Sequence, residues 1–150
     1  MTWTDYMNAA LALARQAAAL GEIPVGAVIV DETGAIVGRG YNRRETDRDA
    51  TAHAEVLAIR DACRTLNRWR LTGCTLFVTL EPCPMCTGAI LQSRLERVVY
   101  GAGDEKAGCC GGLLHLTEQP FDTHPAIYAG VQEEACRAVL QAFFRDRRQG

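Results

Sequence analysis

The chain has 150 residues, 48% of them apolar and 23% charged, which is the balance of a globular protein with a real core, and residues 1–150 read as a single domain. A net charge of −2 and a pI near 5.9 exclude a globally basic nucleic-acid binder, so any such contact must use a local patch. The N-terminus lacks a basic stretch followed by an apolar run, and the apolar run Val25–Val30 is too short to cross a bilayer; the expectation is a cytoplasmic protein with no membrane partner.

In chain order, Asp5 to Leu20 places apolar residues at helical spacing, with Thr4 as the expected N-cap and Gly21 as the stop. Val25–Asp31 and Ala35–Gly40 read as a β-hairpin around Asp31-Glu32-Thr33-Gly34. A polar loop, Tyr41 to Asp49, leads to a second helix over Ala52–Leu66. Cys74–Leu80 is a β-branched and aromatic run expected to be a buried strand. A third helix starts near Pro84, where a missing N–H costs nothing. Arg97–Gly101 and Ala126–Val131 are further strands, and Gln132–Arg147 is the last helix. This order implies an α/β fold, a mixed sheet between helices, with parallel pairing favoured in its central strand-helix-strand-helix-strand run.

Seven cysteines without a secretion signal point to metal binding or burial, not to a disulfide framework. Two of them, in Pro82-Cys83-Pro84-Met85-Cys86, can turn both sulfurs to one metal at the start of a helix, whose dipole favours thiolates. His53, in His53-Ala54-Glu55, supplies a third ligand. Three protein ligands leave a fourth tetrahedral position for water, the pattern of a catalytic zinc, which lowers the pKa of bound water to about 7. Glu55 is then placed to move protons without ligating the metal. Residues i and i+2 lie about 200° apart on a regular helix, so His53 and Glu55 can cooperate only if His53 sits at or before the first turn, with Thr51 as the expected N-cap. A His-x-Glu followed by Pro-Cys-x-x-Cys is the established signature of zinc-dependent deaminases.

At these residues, and along nearly the whole chain, the sequence resembles the cytidine deaminase superfamily, and within it the bacterial tRNA-specific adenosine deaminases of the TadA type. The matching segments are Ile23–Val28, Gly38–Arg43, Thr51–Glu55, Thr79–Cys86 and Phe143–Arg145. The resemblance implies a three-layer α/β/α sandwich around a five-stranded mixed sheet, a homodimer, and one Zn2+ per subunit. It implies hydrolytic conversion of adenosine to inosine at the wobble position of an arginine tRNA, read at its anticodon arm. A zinc-activated water would attack adenine C6, with Glu55 as proton shuttle. It also implies substrate contacts from Asn42, Ala54 and Val25. Asn42 by itself, without the resemblance, reads more readily as a turn residue after the second strand than as a base contact.

RNA contacts are expected at Arg43 and Arg44, at Asp104 and Lys106, and at Arg145 and Arg148 in the Phe-Phe-Arg ending. Phe143 and Phe144 share a helical phase with Val139 and Leu140 and are expected in the core. The acidic pI and Cys109-Cys110 depart from the family pattern. The two cysteines read as small residues in a packed loop, or with His115 as a second metal or redox site. Two rivals remain: a guanine or cytosine deaminase of the same superfamily acting on a free base, and a non-catalytic structural zinc or RNA-binding module that takes a fourth ligand from Cys109, Cys110 or His115.

Overall fold

The structure, a computed structural model, describes residues 1–149; Gly150 lies outside them. The elements are α1 (Trp3–Ala19), β1 (Gly26–Val30), β2 (Ile36–Tyr41), α2 (Ala54–Leu66), β3 (Thr75–Leu80), α3 (Pro84–Ser93), β4 (Arg97–Ala102), β5 (Ala126–Ala129) and α4 (Glu133–Gln149). The strands form one mixed sheet in the order β2-β1-β3-β4-β5.

β1 pairs antiparallel with both β2 and β3, whereas β3–β4 and β4–β5 are parallel. The parallel expectation therefore holds for the second half of the sheet and fails for β2 and β3, which β1 separates. A hairpin partner occupies the position that a β2-α2-β3 crossover would otherwise fill.

Alternation along the strands divides the core in two. Ala27, Ile29, Leu76, Val78, Val98 and Tyr100 face α2 and α3. Val28, Val30, Phe77 and Val99 face α1 and α4. This is the expected three-layer sandwich. The α2 layer sits unusually close to β2, because a Cβ on Gly38 or Gly40 would overlap the α2 backbone at Ala58 and Ala54.

Two helix starts differ from expectation. Thr2, not Thr4, caps α1: its hydroxyl accepts from Asp5 N–H at 3.2 Å while Asp5 accepts from Thr2 N–H at 2.8 Å. This reciprocal pair needs an acceptor three residues on; Asp5 provides one for Thr2, and Met7 provides none for Thr4. At α2, Thr51 is engaged with Asp49 instead, and His53 is the N-cap, with extended backbone (φ −81°, ψ 153°). β5 ends at Ala129, short of Val131, because Gly130 and Gln132 turn the chain through positive φ.

Cys74 and Cys136 are buried as expected, and Cys63 is half-buried. Phe144 is a correction: it is exposed, and only Phe143 is half-buried. The C-terminal turns of α4 leave the sheet behind, so helical phase no longer implies burial.

Candidate metal centre and active site

The polar residues of interest converge where β2, α2, α3 and the β4 end meet. His53 lies outside the first turn of α2, Cys83 is the N-cap of α3, and Cys86 is in the first turn of α3. Pro84 follows Cys83 as the first helical residue, so the chain turns both sulfurs to one side. His53 Nδ1 is 3.6 Å from Cys83 Sγ and 3.5 Å from Cys86 Sγ, and the three donor atoms lie within 4.8 Å of one another.

These separations match zinc. Tetrahedral bonds of about 2.3 Å to sulfur and 2.0–2.1 Å to nitrogen put the two atoms about 3.5–3.6 Å apart. Among the described residues this is the one such cluster of His, Cys, Asp and Glu. These three residues would hold the ion as its protein ligands, and three ligands are the number that a catalytic zinc site takes from the protein.

The charge state of the triad follows from its contacts. A hydrogen bond from the Cys86 thiol, against the opposing cost of burial and helped by His53, pulls Cys83 down to about 4. Cys86, as the donor in that pair and in a buried setting, is pushed up. His53 is raised by its hydrogen bond to Cys83. The contacts thus favour the thiolate at Cys83, and metal binding would require Cys86 and the coordinating nitrogen of His53 to be free of protons as well.

Glu55 is 4% exposed. Burial pushes its carboxyl up to about 7, with the Cys83 charge adding to the effect. Because His53 is extended and not helical, the i, i+2 objection disappears: both side chains line the same cavity. That cavity has a volume of about 160 Å3, enough to enclose a six-membered aromatic ring. Val25, Asn42, Ala54 and Asp104 share its wall, and Arg44 stands among them. Of the expected RNA contacts, Arg44 and Asp104 reach the cavity. Arg43 turns aside to Tyr41 and Asp47, while Lys106, Arg145 and Arg148 are exposed and do not line it.

Asn42 combines both readings made of it. Its Nδ2 donates to the Ile23 carbonyl at 3.1 Å, and its Oδ1 accepts from Arg44 N–H at 3.3 Å, as a turn residue would. One N–H and one lone pair remain for a ligand.

The family model for the cytidine and deoxycytidylate deaminase zinc-binding region matches residues 1–102, which include every ligand of the triad. The chain belongs to this deaminase family. A tRNA-specific adenosine deaminase of Bacillus subtilis is 50% identical over 144 residues, covering 95% of this chain and 89% of that protein. Among solved structures, one from a study of A-to-I editing by tRNA:A34 deaminases is 40% identical with a TM-score of 0.86, covering 91% of this chain and 99% of that one. A guanine deaminase of Bacillus subtilis is 35% identical with a TM-score of 0.67, covering 97% and 95%. The family and its zinc-binding residues make this an enzyme that uses zinc to hydrolyse a carbon–nitrogen bond.

Two buried carboxylates escaped sequence reasoning: Glu81, which itself lines the cavity, and Glu22, which does not. Glu81, 2% exposed, accepts from the backbone N–H of Asp104 (3.0 Å), Cys110 (3.0 Å) and Gly112 (2.8 Å). It thereby ties the loop after β4 to the cysteine motif. Glu22, 1% exposed, accepts from Glu45 and Thr46 and ties down the β2–α2 loop that carries Asn42 and Arg44. A glutamate in an otherwise apolar or glycine-rich setting was the available signal. Cys109 and Cys110 are buried in the loop Glu81 holds, as the small-residue reading expects. His115 is exposed and faces Glu118, so the second-site reading fails among the described residues.

Proposed function

We propose that this protein, as a single domain over residues 1–150, hydrolytically deaminates adenosine to inosine in tRNA, at the wobble position. The observation that carries the reading is the near-full-length identity to a tRNA-specific adenosine deaminase, 50% over 95% of the chain, on a cavity that joins a zinc triad to a buried glutamate. The likeness to the guanine deaminase of Bacillus subtilis is weaker on both measures, 35% identity and a TM-score of 0.67 against 40% and 0.86 for the tRNA:A34 deaminase structure.

When bound at His53, Cys83 and Cys86, zinc supplies a Lewis acid that makes water nucleophilic near neutral pH. The residues of the chain do the rest. Glu55 accepts a proton as water adds to adenine C6 and returns it to N1; it then takes the second proton from the C6 hydroxyl and delivers it to the amino group, so that the C6 carbonyl forms as the C–N bond breaks and ammonia leaves. A carboxyl held near neutrality by burial suits both directions of transfer. Asn42 presents its remaining N–H and lone pair to the base edge, Val25 and Ala54 form the wall, and a cavity with room for about one ring requires the base to leave its stack. Arg43, Arg44, Asp104, Lys106, Arg145 and Arg148 are proposed to contact the RNA around the flipped nucleotide.

The finer reading is a cytoplasmic homodimer acting on the anticodon arm of an arginine tRNA. Its support is the resemblance along the whole chain, together with the lack, among the described residues, of a helix long and apolar enough to cross a membrane.

The test presents the zinc-loaded protein with an anticodon stem-loop carrying adenosine at the wobble position, and separately with adenosine, guanine and cytosine. Inosine in the RNA alone is the expected result. Turnover of guanine with none of the RNA would replace this reading with the free-base one.

A further inference from the structure

A second depression, of about 290 Å3, opens beside the active-site mouth between the edge strand β2 and helix α2. Arg39, Tyr41 and Arg43 line it from the strand side, and Leu57, Asp61 and Arg64 from the helix. Arg60 stands one turn before Arg64 on the exposed side of the same helix, and Arg64 Nε donates to its carbonyl at 3.4 Å. Arg43 belongs to this groove while its chain neighbour Arg44 belongs to the catalytic cavity, so the two sites share a border one residue wide.

The charge is uneven. Arg39, Arg60 and Arg64 are exposed and form no ion pair among the described residues. Asp61, the acid in the groove, is turned to the sheet edge, where its Oδ2 accepts from Arg39 N–H at 2.9 Å. Arg43 bonds to Asp47 and lies over the Tyr41 ring. Three guanidinium groups with no carboxylate partner among the described residues, beside Leu57, on a chain whose net charge is −2, mark a local site for polyanions. Along α2, Leu57 to Arg64 spans about 10 Å of helix axis.

Resting on the function proposed above, we infer that this groove carries the sugar–phosphate backbone of the RNA strand that leaves the active site past Arg44, with Arg39, Arg60 and Arg64 as its phosphate contacts. The groove fixes the path of the strand and adds affinity without reading sequence.

The test measures binding of a labelled anticodon stem-loop to the zinc-loaded protein and to R39A/R60A/R64A across a salt series. R137A serves as the control, since Arg137 is on the helix covering the opposite sheet face and is paired with Glu133. Zinc content and thermal melting report that each variant is folded. The triple variant is expected to bind at least about tenfold more weakly at moderate salt, with the slope of log K against log salt reduced by about 2, at about 0.7 per phosphate on a single strand. The control should match wild type. A triple variant with unchanged affinity and slope overturns the groove assignment. A wild type that neither binds nor deaminates the stem-loop overturns the tRNA reading itself, and the two failures are distinguishable.

Discussion

The carboxylate of Glu22, between α1 and β1, holds Thr46 of the β2–α2 loop by both its backbone N–H, at 2.6 Å, and its hydroxyl, at 2.5 Å. Glu45 N–H adds a third bond at 3.1 Å. A buried charge is tolerated here because donors surround it, and the loop it grips begins with the Asn42–Arg44 wall of the active site.

This clamp has a pH signature. Burial works to raise the Glu22 pKa, but the Thr46 and Glu45 donors outweigh it and hold the carboxyl below its ordinary value of 4.5. A depressed folded-state pKa contributes stability that is present above the unfolded value and lost as pH falls through the folded one. Melting temperatures recorded from about pH 7 down to about pH 3 should therefore fall less steeply on the acid side for E22Q than for wild type. The variant should also start lower at neutral pH and show a raised KM. Parallel acid limbs would show that Glu22 is not the linked group.

Glu81 makes a similar clamp on the other wall. E81A removes the acceptor for three backbone N–H groups, each costing about 1–3 kcal/mol when left buried and unmatched. A loss of about 3 kcal/mol or more in unfolding free energy is expected. Hydrogen exchange at Cys110 and Gly112 should accelerate beyond the global change; uniform acceleration along the chain would argue against a local role.

Glu55 and the triad should separate cleanly. E55A is expected to keep about one zinc per chain while turnover falls by about 10²–10⁴-fold, the usual contribution of a positioned acid–base group. C86A should lose the metal and the activity together. Zinc content by atomic emission beside kcat distinguishes the two, and loss of zinc in E55A would make Glu55 a ligand instead of a proton carrier.

Gly40 lets α2 approach the edge strand. A methyl group there would overlap the Ala54 carbonyl and lie 2.7 Å from Ala58 N, neither of which can rotate away. G40A should cost about 2 kcal/mol or more by overpacking. Since α2 begins directly after His53, its zinc affinity should fall as well. Chelator competition measures this, and wild-type affinity in a destabilised G40A would uncouple the helix seat from the metal site.

What the sequence determined by itself was local chemistry and periodicity. The triad and Glu55 were legible because ligand type, spacing and helix starts are properties of short segments. The nine strands and α-helices were legible from helical spacing, from short apolar or β-branched runs bounded by turn residues, and from a proline at a helix start. Tertiary structure decided what depends on partners distant in the chain. The insertion of β1 between β2 and β3 follows from hairpin docking, not from any one segment. His53 is an extended cap and not a helical residue, because Thr51 spends its hydroxyl on Asp49 and leaves the turn uncapped. Phe144 is exposed because α4 outruns the sheet, which no helical phase records. Glu22 and Glu81 were given no role from the sequence; the fold brings them backbone donors from loops 23 to 31 residues away. A carboxylate is stable in a core only where such donors converge, and that convergence exists only in three dimensions.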